Sequence, residues 1–196
     1  NVWSTYQNID NDLNYNETIA STHGQYSNKM GRFNYMLGLR NEFTKIAITD
    51  VKNTYNNDKK YNRLFPTVNL SYKFDASTLQ LNYSKRINRA SLYALYPFNE
   101  LTDLNSQYIG NPDLNPSYTD VFELTFLKTW KTFTFNPSVY YQKESGYIQD
   151  YTYRENDIFF TTPINIQHEI RKGVELSTLY NPLKWLQVNM EMNFYY

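Results

Sequence analysis

Two histidines, His23 and His168, stand far apart in this chain of 196 residues, and no cysteine accompanies them. A zinc or other transition-metal centre needs several nitrogen or sulfur ligands at short, fixed spacings, which this pattern does not offer. Glycosidase chemistry would need two carboxylates held face to face, and Asp and Glu are scattered along the chain. Glycine-rich phosphate loops, nucleophile elbows and HExxH strings are missing from the sequence. The expectation is therefore a chain that is not an enzyme and needs no cofactor or metal, with both histidines as plain wall residues.

Other charged residues do follow a rule. Arg40, Glu42, Arg86, Glu123, Glu169, Arg171, Glu175 and Glu191 sit in segments where polar and apolar residues alternate one for one. A period of two is the signature of a strand with one wet and one greasy face. In 110–130, GNPDLNPSYTDVFELTFLKTW, the residues Tyr118, Phe122, Leu124, Phe126 and Trp130 share one face, opposite Thr119, Glu123, Thr125 and Thr129.

The composition has to accommodate such strands. Mean hydropathy is −0.68, yet 18% of residues are aromatic, with 20 Tyr and 12 Phe. A disordered chain is polar but poor in rings, so disorder is excluded. Transmembrane barrels combine a polar lumen and loops with aromatic girdles at both interfaces. A formal net charge of zero gives no pull on polyanions, so nucleic acid is not an expected partner. No apolar run is long enough for a transmembrane helix, whereas a barrel strand crosses with only ~10 tilted residues.

The pattern predicts eight strands in four up-and-down pairs: 17–28 with 33–46, 65–74 with 78–88, 118–130 with 132–148, and 166–180 with 185–196. Tight turns are expected at 29–32, 75–77, 131 and 181–183. Long polar connections are expected at 49–63, 89–117 and 152–163. The facing of 17–28 is left open by its own residues. Pro137 inside a strand removes a ladder donor and predicts a bulge or an edge there. Short turns alternating with long loops is the asymmetry of outer-membrane barrels, so the fold class is an all-β, antiparallel, up-and-down transmembrane barrel segment.

GNPDLNPSYTDVFEL resembles the GNPxLxPExxxxYEL signature of TonB-dependent outer-membrane receptors. Gly38, Leu39, Arg40, Asn41 and Glu42 resemble the family's GLRYE-like strand motif, and SKRINRASLYALYPF resembles a stretch of its Bacteroidetes-type barrel members. Ala90, Asn115 and Ser117 depart from those patterns, where the family has proline, a basic and an acidic residue. The resemblance implies a barrel of ~22 strands around a plug, taking up a scarce metal chelate, cofactor or glycan with energy delivered by a TonB-type protein. On that reading residues 1–196 are a single barrel segment without the plug domain, set in outer-membrane lipid.

The resemblance also implies roles. The eight charged residues named above would line the lumen and meet plug or ligand; equally, they pair across strands in a wet interior. Tyr93, Tyr96, Phe98 and Tyr108 would stack on a ligand at the extracellular mouth, or else pack the loop or join the outer girdle. Asn111, Pro112, Asn115 and Pro116 are expected to fix how the chain leads into the following strand. The competing reading is a soluble eight-stranded barrel or sandwich that holds a small ligand, with the aliphatic face turned inward.

Overall fold

The computed structural model describes residues 13–50, 56–103 and 105–196. Eight strands form one antiparallel sheet in the order β1 (Leu13–Met30), β2 (Phe33–Asp50), β3 (Asn56–Lys73), β4 (Ser77–Asn88), β7 (Ser117–Thr129), β8 (Phe133–Ser145), β11 (His168–Leu183) and β12 (Leu186–Tyr195). Neighbours in space are thus neighbours in the up-and-down path. β1 and β12 form the two margins of this sheet.

Four further strands make a second sheet in the order β5 (Asn99–Asp103), β6 (Ser106–Ile109), β10 (Ile158–Asn165) and β9 (Ile148–Glu155). They come from the long connections β4–β7 and β8–β11, at the end opposite the tight turns. A short helix, α1 (Leu92–Leu95), precedes β5, and the Ser91 side chain caps it by accepting from the Ala94 amide.

Registers confirm the alternation on every wall strand. Leu81, Leu124 and Val139 form one cross-strand row, and Val174 and Phe194 continue it onto β11 and β12. This row is the outside. Phe122, Leu124, Leu186 and Val188 are exposed to 46%, 41%, 37% and 46%, so they do not meet in a dry centre. A soluble barrel would bury them, and that reading is overturned. The open question of the first strand is also answered: Ala20 pairs with outward Phe43 and Glu17 with inward Ile46, so Thr22, Gly24 and Tyr26 look out while Ile19, Ser21 and His23 look in.

Several boundaries differ from the sequence expectation, each for a physical reason. Most of the supposed loop 49–63 is strand, because Asn57, Lys59 and Tyr61 keep alternating with Asp58, Lys60 and Asn62 against β2; residues 51–55 lie outside the described residues. The supposed loop 152–163 is a hairpin. Asn156 and Asp157 both take positive φ, 48° and 67°, which suits a two-residue turn between strands of right-handed twist. β8 stops at Ser145 rather than 148, where Gly146 turns the chain with φ 71°.

Pro137 sits neither at a bulge nor at an edge. β8 is an internal strand, and its register with β7 is the same on both sides of Pro137, with the ladder interrupted from Ser138 to Phe135. The missing donor is absorbed as a local gap. The irregularity falls on the fourth pair instead: β11 continues to Leu183 with a register shift after Tyr180, so the turn moves from 181–183 to Lys184 and Trp185. At the first pair the turn shrinks to Gly31 and Arg32, with Gly31 at φ 61°.

Candidate functional site

The buried part of this fold lies on the inner face, at the end away from the tight turns. Ile46 and Ile48 project inward from β2, and the β4–β7 connection folds back over them through Ala94, Leu95 and Leu114. Leu13, Tyr15, Tyr61 and Ala90 pack around this cluster. The sequence reads 89–117 as a long polar connection whose rings meet a ligand or else pack the loop; in the structure its Ala94, Leu95 and Leu114 fill the mouth of the wall from within.

Polar contacts hold this inward segment. Arg89 bonds the carboxylate of Glu42, which is 3% exposed, and lies 3.4 Å from Glu17. Arg40 completes the set at 2.9 Å from Glu42 and places its guanidinium 4.6 Å from the centre of the Phe65 ring. Burial alone would lower the Arg89 pKa, but its interactions with Tyr61 and Glu42 outweigh that and raise it. Nothing in the local pattern around Arg89 pointed to this role.

The Gly-Asn-Pro run works as a clasp. Asn111 turns the chain, its Oδ1 accepting from the Asp113 amide and its carbonyl from the Leu114 amide. On one side Asn57 donates to the Pro112 carbonyl at 3.2 Å and Lys59 to the Leu114 carbonyl at 2.6 Å. On the other side Asn111 donates to the Pro163 carbonyl, and Asn115 and Asn165 bond each other. The motif thereby joins β3 to β10. Gly110 fits against α1 so closely that an added Cβ would come within 2.7 Å of the Tyr96 nitrogen and 2.8 Å of the Tyr93 oxygen.

The eight charged candidates all face inward, but they do not converge. Arg40 and Glu42 belong to the Arg89 group. Glu169 and Arg171 join Glu144, which sequence reasoning passed over although Tyr140, Gln142 and Glu144 alternate on its strand. Glu144 is buried, accepts from the Ser117 hydroxyl and lies 2.8 Å from Arg171. Glu123, Glu175 and Glu191 line a shallow recess of about 430 Å3 together with Thr125, Ser138 and Asn193. Arg86 lines another, of about 420 Å3, with His23, Gln25 and Arg40.

The loop aromatics divide into two pairs. Tyr93 stacks on Tyr108 at 4.5 Å between ring centres, and Tyr96 meets Phe98 edge-on at 4.9 Å. Burial pushes the Tyr108 phenol up to about 12, with Asp150 and Tyr93 adding to the effect. A third aromatic set was missed: on the β9–β10 hairpin Tyr153 stacks on Tyr151 and on Phe160. Its signal was the alternation that a loop assignment for 152–163 concealed. Among the described residues no group of His, Asp and Glu could hold a metal ion.

Matched over residues 1–196 is the model of a family described as the outer membrane protein beta-barrel family. The chain belongs to that family. Its place is therefore the bacterial outer membrane, and the greasy outer face is the face that meets lipid. No curated protein matches the sequence. Among solved structures the chain is similar to the hemophore receptor HasR of Serratia marcescens, with a TM-score of 0.77 at 14% identity over 92% of this chain and 34% of that one. It is also similar to the copper transporter OprC, with a TM-score of 0.73 at 14% identity, covering 92% and 29%. The FrpB iron transporter of Neisseria meningitidis follows, with a TM-score of 0.68 at 14% identity, covering 94% and 26%. At such identities the likeness is one of fold. This family member spans about a third or less of the length of these three structures.

Proposed function

We propose that this chain is a stretch of wall from a TonB-dependent outer-membrane receptor that imports a scarce ligand, a metal chelate, a cofactor or a glycan, without catalysing a reaction on it. The reading rests on the segment 89–116, which folds into the mouth of the wall and is tied to inward charges through Arg89, Glu42 and Glu17. Below that cap, Arg86, Glu123, Glu175 and Glu191 give a hydrophilic inner surface for a plug domain and a passing ligand. Within it, Tyr93, Tyr96, Phe98 and Tyr108 supply rings for recognition. The energy would come from a TonB-type partner in the inner membrane.

The test is uptake by cells that carry or lack the full-length gene, supplied in turn with radiolabelled iron chelates, heme, cobalamin and oligosaccharides. One class should enter only with the gene, and entry should stop when the proton-motive force is discharged. Uptake of that class insensitive to discharge, or no gene-dependent uptake of any class, would overturn the proposal.

A further inference from the structure

The wall keeps its glutamates off the face that meets lipid, while its inner face carries both signs. Every glutamate of the eight-stranded sheet, Glu17, Glu42, Glu123, Glu144, Glu169, Glu175 and Glu191, lies on the inner face by register. On the outer, lipid-facing side the cations are lysines: Lys128 beside the tight turn after β7, and Lys45, Lys60, Lys85, Lys143 and Lys172 far from the tight turns. Counted from the tight-turn end of its own strand, Lys85 lies 8 residues up (85−77) and Lys60 lies 13 (73−60), and Lys45, Lys143 and Lys172 fall between. At ~3.3 Å per residue and a tilt of ~40° those steps give heights of ~20 to 33 Å, which brackets the far edge of an apolar band ~25 Å tall.

Two local arrangements sharpen the point. Lys45 and Lys60 are direct cross-strand partners, a like-charge pairing that costs stability unless an anion sits between or above them. Lys85, Asp120 and Lys143 stand abreast on β4, β7 and β8, where Asp120 lies 3.1 Å from Lys85 and has one carboxylate to share between two ammonium groups. Lys172 follows one outward position below the Ile170 that pairs with Lys143. The other outward acid at this level is Asp58, above Lys60. Among the described residues Lys45, Lys60 and Lys143 have no ion-pair partner.

We infer that this lysine belt is a docking surface for the phosphate groups of anionic lipid in the outer leaflet, held at the rim between greasy wall and extracellular cap. Long lysine stems lie along the apolar face while their ammonium groups reach the headgroup layer. A lysine ammonium binds phosphate as a point charge on a flexible stem, which suits a mobile headgroup. The aliphatic surface just below the belt receives the acyl chains of the same lipid, so a phosphorylated lipid is favoured over a free anion.

The test uses the full chain in detergent micelles doped with bisphosphorylated lipid A or with its dephosphorylated form, reading bound lipid by native mass spectrometry. Phosphorylated lipid should be retained, and raising salt should release it. A variant combining Lys45→Gln, Lys60→Gln, Lys143→Gln and Lys172→Gln should bind it at least ~10-fold more weakly. The corresponding four-site Lys→Arg variant should keep binding, which guards against a Gln variant that fails to fold. Equal retention of dephosphorylated lipid, unchanged binding by a folded Gln variant, or displacement by millimolar inorganic phosphate would each overturn the assignment.

Discussion

Asn115 and Asn165 hold each other through two reciprocal hydrogen bonds: the Asn115 amide donates to Asn165 Oδ1 at 2.8 Å, and Asn165 Nδ2 donates to the Asn115 carbonyl at 2.9 Å. Asn165 Nδ2 also donates to the Gly146 carbonyl at 2.7 Å. One amide side chain therefore joins the β4–β7 and β8–β11 connections. Asn165→Ala removes all three bonds, and at ~1 kcal/mol each the cap should loosen by ~2 to 3 kcal/mol. Hydrogen exchange over 110–116 and 146–165 should accelerate while wall amides stay protected. Unchanged exchange in both connections would refute the clasp.

Glu42 is buried between Arg40 and Arg89, so deleting its charge leaves Arg89 with the longer contact to Glu17. Glu42→Gln should cost ~3 kcal/mol in unfolding from detergent or bilayer. Combining it with Arg89→Gln should cost much less than the two single changes added together. Additive losses would mean that the pair is not coupled.

Gly173 is inward on β11, with the Tyr140 ring laid across it. A Cβ there would come 2.6 Å from the Tyr140 hydroxyl oxygen and 2.8 Å from Cζ, and would press on the Phe194 carbonyl. Gly173→Ala should destabilise the wall by ~1 to 3 kcal/mol. Adding Tyr140→Ala should restore only part of that, because the Phe194 backbone remains in the way. Full rescue would place the whole clash on the ring.

The lipid face can be checked by exchanging neighbours of opposite facing. Leu124→Arg should cost ~2 to 4 kcal/mol in a bilayer, whereas Thr125→Arg, one residue on and inward, should be tolerated. The reverse order of the two losses would reverse the facing of the sheet.

Alkaline titration probes the four-stranded sheet. The Tyr108 pKa in the folded state is about 12 against an ordinary 10.0, so the fold favours the neutral phenol. Its contribution is complete below pH 10.0 and is lost as pH rises through about 12. Tyr108→Phe should remove this alkaline loosening, followed by tyrosinate absorbance and by proteolysis of 99–109. A Phe variant that loosens at the same pH would assign the effect elsewhere.

Facing was the most legible property, because period two survives any error at strand ends: alternation sets Leu81, Leu124 and Val188 apart from their polar neighbours, while the structure shows that their side is the outer one. Strand β1 resisted, since Thr22 and Gly24 differ too little from Ser21 and Gln25; only pairing with Phe43 and Ile46 decides it. Polar strand ends such as Asn57 to Tyr61 looked like loop because their support comes from β2, not from their own propensity. The inner charges were legible as a face but not as groups. Arg89 meets Glu42 across 47 residues of sequence, and no spacing rule reaches that far.

Among the described residues β1 and β12 each have a neighbour on one flank alone, so these strands describe an arc rather than a closed ring. Along Leu13–Met30 and Leu186–Tyr195 half of the peptide groups point to where another strand must lie, and hydrocarbon offers nothing to replace it. Whatever inserts into the bilayer with this arc has to seal both seams, whether with more of its own polypeptide or with a second molecule. Cut loose in water, the same two seams would make it adhesive.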